Sequence, residues 1–224
     1  GPPVNLEGET INWIDVYLEW DPPSYHQYIP IQWDNGENYT AIGTEEEYDF
    51  SVASRWYPED LNLYDSMYLE KISFFPNEHD CEYYLRVWTG EEATLVVDQP
   101  LDEEEYIVHY WNTIELDNPV LIDASKELWF GYRANTEDGF PAGTDAGPAK
   151  PYRGDMMWDA ETGWVSLMDY YELDYNWNIA GILLNDQGEQ IMLSQLPETS
   201  TSTKQGRVKH GQINQTPEPI NFDS

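Results

Sequence analysis

The sequence predicts an all-β protein, a jelly-roll β-sandwich, from three observations. Apolar residues recur with period two in short runs, as on strands whose alternate side chains face a core. Clusters of Gly, Pro, Asn and Asp interrupt those runs at short intervals, the spacing of a sandwich. No long amphipathic helical pattern occurs, which disfavours the crossover helices of α/β folds. With 10 Trp, 17 Tyr and 6 Phe, the chain also has the aromatic surface to pack a core, unlike a disordered acidic polypeptide.

Residues 1–28 read as a lead-in. Within the stretch Trp13 to Trp20, Ile14, Val16, Leu18 and Trp20 share one strand face. Asp21-Pro-Pro-Ser24 ends that strand, because proline has no N–H for a ladder and restricts the residue before it. The strand and its Trp-Asp-Pro-Pro ending resemble an early strand of a fibronectin type III module. Residues 29–184 form the main domain, with strands predicted over 48–56, 67–75, 82–88, 93–98, 105–110, 111–116, 119–123, 127–133, 163–167 and 176–184. Between Tyr57 and Tyr64 one helical turn is predicted, with Pro58 at its first position and Glu59 and Asp60 where the helix dipole favours carboxylates. Residues 185–224 hold a further strand, Gln190–Leu193, and a tail rich in Thr, Ser, Pro, Gln and Asn. Gly206–Lys209 and Pro219–Phe222 are the tail segments expected to pair back onto the domain.

Forty-three acidic residues against 10 basic ones give a net charge of -33. Such a chain repels phosphate backbones and anionic headgroups, so nucleic acid and membrane surfaces are poor partners and no membrane insertion is expected. No apolar stretch approaches the length that spans a bilayer. Clustered carboxylates instead favour a hard divalent cation, calcium above all. The lone Cys81 allows neither a disulfide framework nor a cysteine zinc site. His26, His79, His109 and His210 are scattered without metal spacing or a nucleophile motif. The chain therefore reads as non-enzymatic, a paired-carboxylate glycoside hydrolase being the one catalytic alternative that so many acids leave open.

Asp34, Asn35, Glu37 and Asn38 crowd oxygen-bearing side chains into one turn and are candidate calcium ligands. Asn-Gly is equally a hairpin signal, so a plain turn is the competing reading. Asp123, which closes a strand, and Asp145, inside a Gly-rich loop, are further metal candidates against a turn-capping role. In the loop-rich stretch 149–175, Trp158, Trp164, Tyr170 and Tyr171 suit a platform that stacks on sugar faces, and core filling is the alternative. Asp155 completes Arg153-Gly154-Asp155, an integrin-recognition tripeptide if displayed on an exposed loop, or else a turn kept for the scaffold. Glu45–Glu47 and Asp102–Glu105 read as solvated runs that protect strand edges.

Several segments occur in a telling order: Trp33-Asp-Asn-Gly36, Phe50-Ser-Val-Ala-Ser-Arg-Trp56, Lys71-Ile-Ser-Phe-Phe-Pro-Asn77, Val87-Trp-Thr-Gly90, Ile122-Asp-Ala-Ser-Lys-Glu-Leu-Trp129, Pro141-Ala-Gly-Thr-Asp-Ala-Gly-Pro148, Gly154-Asp155 and Asn176-Trp-Asn-Ile179. Over about residues 30–184 the chain resembles the cleaved-adhesin, or gingipain haemagglutinin-adhesin-like, domains of secreted and surface proteins of Bacteroidetes. The resemblance implies a calcium-stabilised β jelly roll, secreted or on the cell surface, placed beside secreted peptidases or among fibronectin-like modules. It further implies adhesion to a host extracellular protein or a glycan. The expectation is a non-catalytic adhesin-type binding module, with a structural spacer beside a secreted peptidase as the alternative.

Overall fold

The computed structural model describes residues 27–185, together with the backbone of residues 4–10, 16–21 and 220–221. Its elements are β1 (Val4–Thr10), β2 (Val16–Asp21), β3 (Gln27–Gln32), β4 (Thr40–Thr44), β5 (Tyr48–Trp56), α1 (Pro58–Leu61), β6 (Tyr68–Phe74), β7 (Cys81–Thr89), β8 (Thr94–Pro100), β9 (Asn112–Leu121), β10 (Leu128–Thr136), β11 (Gly139–Thr144), β12 (Met156–Asp159), β13 (Gly163–Ser166), α2 (Leu167–Tyr171), β14 (Ile179–Asn185) and β15 (Ile220–Asn221). The protein is an all-β sandwich. One antiparallel sheet runs β13-β12-β5-β10-β7-β8 and the other β3-β14-β6-β9, while β11-β4-β15 form a third and β1-β2 a separate hairpin. Among the described residues no helix is long and apolar enough to cross a membrane.

Period two builds the core. Phe50, Val52, Leu85 and Phe130 of the six-stranded sheet and Ile31, Leu69, Ile72 and Leu183 of the four-stranded sheet belong to one buried cluster. Gly181 makes their contact possible, since a Cβ there would lie 2.8 Å from the Phe130 ring and 2.9 Å from Leu69 Cδ1. Burial of rings of this size is the dominant favourable contribution, each worth roughly 1.5–3 kcal/mol.

The structure corrects several sequence expectations. Residues 105–110 are not a strand: a 3-10 turn at Glu103–Glu105 leads into a loop in which Asn112 bonds the Ile107 N–H and the carbonyls of Ile107 and Tyr110. The predicted strands 111–116 and 119–123 are one, β9, whose register against β6 shifts between Leu69 and Lys71. Pro119 fits there because it lies in the stretch where the register shifts, between the pairs Lys71↔Glu115 and Leu69↔Val120, on a strand at the sheet edge. The helical turn forms as α1, and β5 spans its predicted residues. Ile220 and Asn221 pair in parallel with Ile42 and Gly43, as the tail reading expected. Gln190–Leu193 and Gly206–Lys209 lie outside the described residues.

Isolated bridges Pro76↔Ala142 and Thr144↔Trp177 tie the third sheet to the sandwich. They bring together the chain leaving β3, the chain leaving β11 and the chain entering β14. Those three segments carry Asp34, Asp145 and Asn176-Trp177-Asn178.

Candidate functional site

Trp33, half-buried, stacks on the fully buried Trp56 at 4.3 Å and donates its Nε1–H to the Arg55 carbonyl, which fixes the path of the chain into Asp34. Gly154 allows close approach on the other side, because a Cβ there would meet Asn176 Oδ1 at 2.5 Å and Trp33 Cβ at 2.7 Å. Asp145 is buried as an acceptor hub. Its Oδ1 receives the N–H groups of Asn176 and Gly147, both at 2.8 Å, and its Oδ2 receives the Asn35 N–H at 3.1 Å and Asn176 Nδ2 at 3.1 Å.

Asp34 is 5 % exposed and is treated differently. Its Oδ1 accepts the Gly36 N–H at 2.8 Å, while its Oδ2 has no hydrogen-bond partner. Burial pushes its pKa up to about 7; the Gly36 N–H pulls the other way and the charge of Asp145 adds to the rise. Three more buried oxygens without partners belong to the joining segments: Asn178 Oδ1, Thr144 Oγ1 and Thr40 Oγ1. Thr40 and Thr144 are cross-strand neighbours, and Asn178 Nδ2 is held by Asn38 Oδ1 at 2.8 Å. A buried polar atom left without a partner is costly unless something outside the protein satisfies it.

Among the described residues no three His, Cys, Asp or Glu side chains come together as a metal cluster. The joining segments carry oxygen donors of another kind: besides the two carboxylates, an amide and two hydroxyls have oxygens without partners, and hard donors of these types suit calcium. Asp34 and Asp145, both expected from the sequence, are thus brought together, with Asn35 bridging them through its backbone. Asn178, Thr40 and Thr144 were missed. Their only sequence signal was the Asn-Trp-Asn and Gly-Thr-Asp context, because which oxygens stay unpaired is decided by tertiary contacts.

The other expected residues fall elsewhere. Glu37 is exposed, and its N–H closes a local turn onto Asn35 Oδ1 at 2.9 Å. Asp123 does not join the cluster; it caps the β9–β10 turn, pairing with Lys126 at 2.8 Å and accepting from Ser125, which hold its pKa down to about 2. Asp155 is fully buried, bonded by the Ser166 hydroxyl and the Met168 N–H. Arg153 is engaged too, with Asp60 at 3.1 Å and over the Trp33 and Tyr57 rings. The tripeptide is therefore a scaffold element rather than a displayed loop.

The four platform aromatics split into two groups. Trp158 and Trp164 are cross-strand partners, both half-buried, on the outer face of the six-stranded sheet. Trp164 packs on Trp88 and Trp129 at 5.1 and 5.0 Å, over a floor of Ala53 and Met156. Tyr170, 58 % exposed, and Tyr171, packed against the core, sit on α2 and touch each other at 4.8 Å. Compared with family models, curated proteins and solved structures, the chain gives no match.

Proposed function

We propose that this chain is a non-catalytic binding module of adhesin type, secreted or displayed on a cell surface, with calcium as a structural ion. The observation that carries the metal is the buried Asp34 carboxylate, which keeps one oxygen free of hydrogen bonds at the junction it shares with Asp145, where Asn178 and Thr144 also carry unpaired oxygens. Calcium supplies charge neutralisation and oxygen coordination at such a site. Asp34 and Asn178 would hold it, fastening the ends of β3 and β14 to one another beside Asp145, whose oxygens already accept N–H groups. The binding role rests on the resemblance over residues 30–184 and on the paired half-buried Trp158 and Trp164.

Calorimetric titration with calcium, with melting curves in calcium and in chelator, tests the metal. Heat uptake or release and a higher melting temperature in calcium are expected, since a ligand that binds only the folded state stabilises it. No heat and no shift would overturn it. A structural spacer beside another module is the second reading, favoured by the burial of Trp88 and Trp129, at 5 and 2 % exposure, into the sheet's own packing. Capture of an extracellular-matrix protein or a glycan by the folded module decides against the spacer.

A further inference from the structure

We infer that the outer face of the six-stranded sheet, from Trp158 across β5, β10 and β7 into the groove beside Tyr84, binds an oligosaccharide that carries no acidic groups. The inference rests on the binding-module reading above and names its ligand class.

Register places the residues. Trp158 stands opposite Ser51, Ser51 opposite Arg133, and Arg133 opposite Tyr84, so one row crosses four strands on the face turned away from the core. Neighbouring strands are ~4.8 Å apart, the scale of a single sugar ring. Planar groups with paired donors and acceptors fill the row and its flanks. Arg133 grips Asp49 through two hydrogen bonds, at 2.6 and 2.8 Å, and its guanidinium lies 4.9 Å from the Tyr84 ring centre. Arg86 grips Asp98 in the same two-pronged way and also reaches Ser51 Oγ at 3.1 Å. Past Tyr84 the face opens into a groove of about 640 Å³ whose walls include Glu47, Glu82, Tyr84, Asn135 and Glu137.

Aromatic faces stack on the apolar faces of sugar rings, while fixed bidentate groups exchange hydrogen bonds with adjacent hydroxyls. Asp49 and Asp98 keep accepting capacity and exposure, with side chains 50 and 43 % accessible. Charge decides the class of sugar. Arg55, Arg86 and Arg133 are each matched by a carboxylate, so this face has no excess positive charge, and the groove adds unmatched acids. Sialylated, uronic or sulfated chains are repelled; neutral and amine-bearing chains are not. A protein partner fits less well, because the large apolar surface that would anchor it, Trp88 and Trp129, is already covered by Trp164.

The whole chain is applied to an array of neutral gluco-, xylo-, manno- and chito-oligosaccharides, deacetylated chito-oligosaccharides, heparin and sialyl-oligosaccharides, with extracellular-matrix proteins immobilised alongside. Binding to an uncharged or amine-bearing chain is expected, reduced at least tenfold by Trp158→Ala and, separately, by Tyr84→Ala, and unchanged by Tyr28→Ala on β3 of the opposite sheet. Arg133→Met supplies a third variant, and unchanged circular dichroism shows that each is folded. Binding confined to heparin or sialyl chains, or full affinity in folded Trp158→Ala and Tyr84→Ala, overturns the inference. Capture of matrix protein with no glycan bound overturns it while leaving the binding-module reading in place, and capture of neither overturns both.

Discussion

The Asn35 backbone N–H donates to Asp145 Oδ2 at 3.1 Å, so the loop leaving β3 and the loop leaving β11 share one buried carboxylate. Asp145 takes further N–H groups from Gly147 and Asn176 and needs nothing more from outside. Asp34 lies in the same junction with one oxygen bonded and the other bare. Two buried acids thus receive opposite treatment: one holds the backbone in place through both oxygens, and the other keeps one oxygen without a hydrogen bond.

Replacing Asp34 by Asn separates those roles. At pH 8 in chelator the wild-type carboxylate is ionised in a site that raises its pKa to about 7, against an ordinary 3.8. Each unit is about 1.4 kcal/mol, so the amide should stabilise the metal-free fold by an amount on the order of a few kcal/mol. In calcium the order reverses, the wild type melting higher and Asp34→Asn showing no gain. Asp123→Asn, away from the junction, should leave calcium affinity unchanged. Thermal melts in chelator and in calcium check both, and an Asp34→Asn variant that melts lower than wild type in chelator would refute the assignment.

Asp155 sets a pH dependence of definite sign. Burial raises its folded-state pKa above 3.8, although the Ser166 hydroxyl and the Met168 N–H act against the rise. The folded protein therefore keeps this proton longer than the unfolded chain. The group's contribution is fully present below pH 3.8 and is lost as pH rises through the folded-state value. Urea melts across pH 3.5 to 6 should show wild type losing stability relative to Asp155→Asn as pH rises; a difference that stays flat or slopes the other way would contradict it.

β7 was legible because it alternates between core and surface. β5 is buried on both faces from Phe50 to Ser54, and there the period of apolar and small polar residues, rather than exposure, marked the strand. β4 is buried on both faces, so Thr40 to Thr44 show no alternation, and β11 reads as a turn because Gly139, Pro141 and Gly143 lie within it. At the junction, Asp34 and Asp145 were legible as acids in Gly-rich loops. Asn178, Thr40 and Thr144 were not, since an unpaired oxygen is a property of what fails to reach it. Asp123 and Asp155 have similar local chemistry, and only the fold shows the first as a turn cap and the second as a buried carboxylate that, like Asp34, leaves one oxygen without a partner.

Trp164 closes a small apolar cluster on the outer face. It covers Trp88 and Trp129, and Trp164→Ala would leave both with one ring face in water. Because Trp164 is itself only half-buried, a loss below the ~3–5 kcal/mol typical of a core Trp→Ala change is expected, about 2 kcal/mol. The intrinsic fluorescence should shift to longer wavelength as the two indoles become wet. An unshifted spectrum with unchanged stability would show that the cluster does not depend on its cap.

Arg55 links this cluster to the junction around Asp34. Its guanidinium lies 4.3 Å from the ring centres of both Tyr57 and Trp129, and it makes a two-pronged pair with Glu127 at 2.9 and 3.0 Å. Glu127 also accepts the Trp129 indole N–H at 2.9 Å, and Arg153 continues the stack over Tyr57 and Trp33, the residue before Asp34. Lysine keeps the charge but has neither the planar fork nor the stacking face, so Arg55→Lys takes at least one of three side-chain hydrogen bonds from a largely buried carboxylate. A loss of about 2 kcal/mol in urea unfolding is expected, in the range for a charge-assisted hydrogen bond to a partly buried group. Tyr57→Phe, which keeps the ring, should cost little. Equal stability of Arg55→Lys and wild type would mean that charge alone holds the stack, and the planar-fork argument would fail.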